Sequence, residues 1–125
     1  MKLCAACNYD GTSGPRTAPT NITKAGLYWV KANSTIDGEL YQVSGALFVA
    51  KENTNKRLFF PCTTCFISEI DKIRTPTNVR IYLANKVLSS VENGRFLNIE
   101  VRSFNPHTFS HGPRYNAYPV RGVCE

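Results

Sequence analysis

Two pairs of cysteines, Cys4-Ala-Ala-Cys7 and Cys62-Thr-Thr-Cys65, are the residues whose type and spacing most directly allow chemistry. A Cys-x-x-Cys turn can aim both sulfurs at one tetrahedral ion, and two such turns complete a four-thiolate zinc site. Fifty-four residues separate the pairs. A site built from Cys4, Cys7, Cys62 and Cys65 would therefore tie the start of the chain to its middle. Asn8 and Phe66 stand where a zinc knuckle usually carries glycine, although Asn8 to Gly11 could still form the knuckle's tight turn. The second pair also reads as Pro61-Cys-x-x-Cys, half the signature of zinc-dependent nucleobase deaminases. Such an enzyme needs a third ligand and a proton-moving glutamate upstream. His107 and His111 lie downstream, which leaves Asp37-Gly38-Glu39, where an Asp-Gly pair predicts a hairpin turn instead of the helix required. Reduced thiols and disulfides are the remaining readings, and the odd fifth cysteine, Cys124, argues against a closed disulfide framework. Zinc is the one cofactor the sequence nominates.

A second concentration of recognition chemistry is "SFNPHTFSHGPRYN", residues 103–116. Phe104, Asn105, His107, Phe109, His111, Arg114, Tyr115 and Asn116 bring aromatic, amide, imidazole and guanidinium groups into one predicted loop. Loops on a rigid sheet carry recognition, and this mixture suits sugar or protein surfaces. His107 and His111 read as surface histidines. Ser110 has no acid near it in sequence, so no nucleophile is assigned there.

The elements that must hold these residues are mostly strands. Residues 8–23 are rich in Gly, Pro, Ser, Thr and Asn and read as an extended arm or loop. "AGLYWVKA" (25–32) predicts a strand, and Asp37-Gly38 a tight hairpin. "QVSGALFVAKENTNKRLFFP" reads as strand, polar turn, strand. Leu40, Val43, Leu47 and Ala50 also fit helical spacing, but Val, Phe and Gly45 favour the hairpin. Ile67, Ile70 and Ile73 predict a short helix or covered loop over 66–74, stopped by Pro76. Strands follow at 78–88 and 94–104, with Leu97, Ile99 and Val101 on one face. The tail is a loop and then a last strand around 117–123.

At 125 residues and 42% apolar composition, the chain is one globular domain. The predicted organisation is an arm over 1–24 and a single β-rich domain over 25–125. The net charge of +6 is shared evenly, seven basic and four acidic residues in 1–65 against eight and five in 66–125. A dedicated nucleic-acid binder concentrates its basic residues, so this pattern reads as a solvated basic surface. No apolar run approaches the ~20 residues of a membrane-spanning helix. Asn8 and Asp10 interrupt the start before a signal peptide can form, which predicts a cytoplasmic chain or one built into a particle assembled there.

The order "SGALFVAKENTNKRLFFP" (44–61), "IYLAN" (81–85), "GRFLNIEV" (94–101) and "RYNAYPVRGV" (114–123) resembles the C-terminal part of bacterial major paralogous domains, a branch of the C-type-lectin-like superfamily. The resemblance covers about two thirds of the chain and rests on order and spacing. Tyr82-Leu83-Ala84 stands where the family has Trp-Ser-Ser, "CTTCFISEI" replaces a small loop, and the family's N-terminal helical part has no counterpart. No Glu-Pro-Asn or Trp-Asn-Asp triplet is present, so the calcium-dependent sugar site of animal lectins is not implied. The resemblance implies a mostly β (α+β) fold, a twisted antiparallel sheet with long loops and an extended N-terminal arm. The expected function is a non-enzymatic structural or ligand-binding module, decorating a phage capsid or tail. Its expected partners are other virion or surface proteins, or a host-surface glycan or protein, with oligomer or lattice contacts. A deaminase-like enzyme and a zinc-stapled nucleic-acid binder are the rival classes.

Overall fold

Leu27 to Val30 and Ala46 to Val49 are the strongest strand-forming runs of the chain, and they pair at the centre of the fold. The computed structural model describes residues 2–9, 14–62, 65–67, 72–74, 78–86, 93–100 and 110–113, with side chains placed for 4–9, 14–62, 79, 81, 98 and 99. In chain order the elements are α1 (Lys2–Ala6), β1 (Arg16–Thr17), β2 (Gly26–Val30), β3 (Ser34–Ile36), β4 (Glu39–Tyr41), β5 (Gly45–Val49) and β6 (Arg57–Pro61). After them come β7 (Cys65–Ile67), β8 (Lys72–Arg74), β9 (Asn78–Lys86), β10 (Asn93–Glu100) and β11 (Ser110–Pro113). The described residues are mostly β with almost no helix.

The main sheet has the order β1-β2-β5-β6, with β1 parallel to β2 and the other pairs antiparallel. Every residue of β2 and β5 is buried, because both faces of this sheet are covered. On one face Leu27, Trp29, Ala46, Phe48 and Phe60 pack with Cys4 and Cys7 and with Val79, Ile81 and Ile99 of β9 and β10. On the other, Tyr28, Val30, Leu47 and Val49 pack with Ile22 and with Ile36 and Tyr41 of the β3–β4 hairpin, flanked by Phe59. Gly45 is required where β5 meets β6. A Cβ there would collide with the Phe60 carbonyl oxygen and stand 2.7 Å from the Phe59 ring.

Asp37 and Gly38 form the two-residue turn of β3–β4, with φ of 49° and 80°. Positive φ at both positions is the type I′ geometry that matches strand twist. The strands predicted at 25–32, 78–88 and 94–104 are present as β2, β9 and β10; β9 pairs with β10, and its Val79 and Ile81 pack against the main sheet.

Three expectations are corrected. The first residues are not all arm: Lys2–Ala6 is helical, and Cys4, Cys7 and Ile22 belong to the core. The short helix or covered loop expected over 66–74 is instead the antiparallel pair β7 and β8, with Phe66 opposite Ile73. Its isoleucines are β-branched and the run is short, so pairing wins over a helix that few hydrogen bonds could hold. Within the expected loop 103–116, residues Ser110–Pro113 form β11 against β10. The predicted last strand at 117–123 lies outside the described residues.

Candidate functional site

Cys4 and Cys7 owe their position to the way α1 ends. Tyr9 N–H donates to Cys4 O at 2.9 Å and Asn8 N–H to Ala5 O at 3.2 Å, while Asn8 takes φ 55°. That is a Schellman ending with asparagine in the left-handed position usual for glycine. It turns both thiols into the core, where neither is in a disulfide. Burial pushes the Cys4 thiol up, and burial together with the neighbouring Cys4 pushes Cys7 up. Neutral, buried thiols are weak nucleophiles.

Cys7 and Cys62 lie toward different ends of the β5–β6 hairpin. Lys51 N–H donates to Ala6 O at 2.8 Å, and Cys7 borders a cavity of about 180 Å³ with Phe48, Ala50 and Leu58, near the turn. Cys62 follows the open end, its N–H donating to Ser44 O at 2.7 Å. Cys62 packs against the same core cluster as Cys4 and Cys7, but among the described residues no group of three or more His, Cys, Asp or Glu side chains is placed to hold a metal. Cys65 opens β7, and its side chain lies outside the described residues.

Glu39, the proton carrier of the deaminase reading, stands on the hairpin that covers the opposite face of the main sheet from Cys62. Its carboxylate accepts the Tyr41 hydroxyl at 3.3 Å. Burial, and then the Glu39 charge, push the Tyr41 hydroxyl up. Glu39 and Cys62 are therefore on opposite faces of the main sheet.

The hairpin is clipped down through Asp37. Its Oδ2 accepts Arg57 Nη2 at 2.6 Å and Ile22 N–H at 3.2 Å, while its own N–H donates to Thr20 O at 2.8 Å. Arg57 Nε donates to Thr54 O at 2.7 Å. The Arg57 hydrogen bond, helped by the Ile22 amide, holds the Asp37 carboxyl below its usual range.

Fixed in this way, the hairpin leaves a groove of about 380 Å³ along β4. Glu39, Leu40, Tyr41 and Gln42 form its wall, and Leu47, Arg57 and Phe59 its floor. Tyr41 and Phe59 meet edge to face, with ring centroids 4.9 Å apart. The groove combines an aromatic pair and aliphatic floor with a carboxylate, an amide and a guanidinium. That is the composition of a small recognition site. Composition alone did not single it out. The available signal was that Leu40 and Val43, aligned with Leu47 and Ala50 at helical spacing, could not all be core once the segment folded as strands.

Of the eight expected ligand residues, His111 has a described position, in β11 opposite Arg95. Phe104, Asn105, His107, Phe109, Arg114, Tyr115 and Asn116 lie outside the described residues. In comparisons with protein-family models, curated proteins and solved structures, the chain finds no match. No helix of the described residues is long and apolar enough to cross a membrane.

Proposed function

We propose that this protein is a non-enzymatic binding module with a C-type-lectin-like fold, whose described ligand surface is the groove between β4 and β6. The carrying observation is the groove itself: aromatic, apolar and polar side chains converge on about 380 Å³ beside a clipped, rigid hairpin. The order of elements supports the lectin-like assignment. The Gly45-x-x-Phe48 strand, its polar turn and the strand ending in Phe-Pro pair as that motif requires, and β9 and β10 follow as partners. Buried, neutral Cys4 and Cys7 fit a structural role better than a chemical one.

The proposed setting is a virion surface, with the module facing outward and contacting other virion proteins or a host-surface glycan or protein. Two assays test this reading. Glycan and peptide arrays are probed with the wild-type protein, with a groove variant carrying Leu40→Lys and Gln42→Lys, and with Lys24→Glu as a remote control. All three substituted positions are exposed, so the fold is retained. Binding lost only in the groove variant supports the reading. Binding indifferent to it, or nucleoside or nucleobase deamination that depends on Glu39, contradicts it. Co-purification with particles tests the setting, and recovery solely as unattached protein counts against it.

A further inference from the structure

Cys4 and Cys7 stand at the two ends of one hydrogen-bonded turn. The Cys7 N–H donates to Cys4 O at 3.1 Å where α1 ends. This i to i+3 bond is of the 3₁₀ type, which tightens a helix end and brings side chains three apart nearly into line. A hydrogen-bonded turn of four residues keeps its first and last Cα atoms within about 7 Å. A disulfide spans Cα atoms roughly 4.4–6.8 Å apart. The backbone thus already holds the two residues at bridging range. Their side chains also enter one cluster with Leu27, Phe48 and Phe60, at 4% and 2% exposure.

The two thiols are not equivalent. Cys7 borders the cavity of about 180 Å³, which the exposed Ala6 and Lys56 also line, so this cavity reaches the surface. Cys4 does not border it. Cys7 is therefore the attacking sulfur and Cys4 the resolving one. The oxidant is a small dialkyl disulfide of the glutathione class. Cys7 gives its proton to solvent and bonds to one sulfur of the reagent, expelling the first thiolate. Cys4, deprotonated in turn, bonds to Cys7 and expels the second. The pair loses two protons and two electrons, and the reagent's S–S bond becomes two thiols. Burial makes the steps slow, so the equilibrium is reached over minutes to hours.

We infer that Cys4 and Cys7 form a reversible disulfide with each other, which makes the seating of α1 on the β5–β6 hairpin depend on the redox state of the surroundings. The bridge would enclose Ala6, whose carbonyl accepts the Lys51 N–H at 2.8 Å and so ties α1 to the turn of that hairpin. A cross-link there removes open conformations of the helix end and holds this contact. A protein made in a reducing cytoplasm and then carried outside on a particle would pass from the dithiol to the disulfide. The inference does not depend on the groove being a ligand surface.

The test equilibrates the folded full chain in glutathione buffers from reducing to oxidising, then quenches with acid, alkylates and digests with trypsin. Residues 3–16 leave as one peptide that holds both thiols and no other cysteine. As glutathione disulfide rises, this peptide should lose about two daltons, retain no glutathione, and regain the mass on return to reduced glutathione. Amide exchange at Lys51 should slow several-fold in the oxidised protein. Cys4→Ser should stop the reaction at a mixed disulfide on Cys7. The wild-type peptide map gives the answer even where that variant fails to fold. An unchanged peptide, in buffers that oxidise the same chain in urea, overturns the inference. A bridge from either thiol to Cys62, Cys65, Cys124 or a second chain overturns it as well. A Cys4–Cys7 bridge that leaves Lys51 exchange unchanged overturns the claim that it seats α1.

Discussion

Arg57 Nη2 lies 2.6 Å from Asp37 Oδ2, the same oxygen that accepts the Ile22 amide. One carboxylate thus joins the chain leading into β2, the tip of β3–β4 and the first residue of β6. The charge pair is partly solvated, with side-chain exposures of 14% for Arg57 and 33% for Asp37. Its value therefore lies in position more than in Coulomb energy. It sets the hairpin over Leu47 and Phe59 and so sets the width of the groove.

The first prediction concerns pH. A carboxyl held below its unfolded value of about 3.9 contributes stability that is fully present above that value. The contribution is lost as pH falls through the lower, folded value. Thermal melts should therefore show the wild type losing stability below about pH 4 more steeply than Asp37→Asn. Asparagine tolerates the positive φ of the turn, so the comparison isolates the charge. Parallel melting curves for the two proteins across that window would deny Asp37 this role. Added salt should narrow their difference at neutral pH, since the pair is accessible to screening.

Gly45 gives the sharpest packing prediction. Gly45→Ala places a methyl against the Phe60 carbonyl and the Phe59 ring. Overpacking of this kind costs about 1–3 kcal/mol, and more where backbone must move. Urea titration followed by Trp29 fluorescence measures it. A loss under about 0.5 kcal/mol, ordinary for a surface substitution, would mean that β5 and β6 are farther apart than described.

Phe48 is 1% exposed and meets Phe60 edge to face at 5.8 Å. Phe48→Ala should cost about 3–5 kcal/mol, a large part of a domain's whole stability. Phe48→Leu, which keeps most of the volume, should cost less and still fold. Equal tolerance of both substitutions would contradict a packed core at this point.

The thiols provide a chemical probe. With Cys4 and Cys7 buried and their thiols held neutral, iodoacetamide should modify them slowly in the native protein and quickly in urea. Peptide mapping after timed alkylation reads this directly. Rapid native labelling of both would mean that α1 is not seated on the main sheet.

Much of the fold was legible in local sequence because local chemistry and tertiary context agree there. Asp37-Gly38 carries its turn type in its own side chains, and the runs at 26–30 and 45–49 are strand-prone and buried on both faces. The misread segments are those where local chemistry is weak. α1 is five residues long, with no acidic residue in its first turn and no basic one in its last. β11 consists of Ser-His-Gly-Pro, poor strand formers paired through the backbone with β10. Ile67 and Ile73 satisfy both periods, and pairing decided between them. The groove could not be read at all. It depends on Phe59 and Arg57 meeting a hairpin 16 or more residues earlier in the chain, and on which edge of that hairpin faces outward. The cysteines show the converse: their spacing says nothing about Cys7 and Cys62 meeting the β5–β6 hairpin toward different ends.

The groove beside β4 is the central claim, and since no other described strand pairs with β4 than β3, amide hydrogen exchange of the unliganded protein at Leu40 and Tyr41 tests it most directly. The Tyr41 N–H pairs with Ser34 across the hairpin and should be protected with Glu39, whereas the adjacent Leu40 N–H should exchange at close to the unprotected rate. Equal, strong protection at Leu40 would mean that the edge is already covered and that the groove is not a vacancy for a ligand.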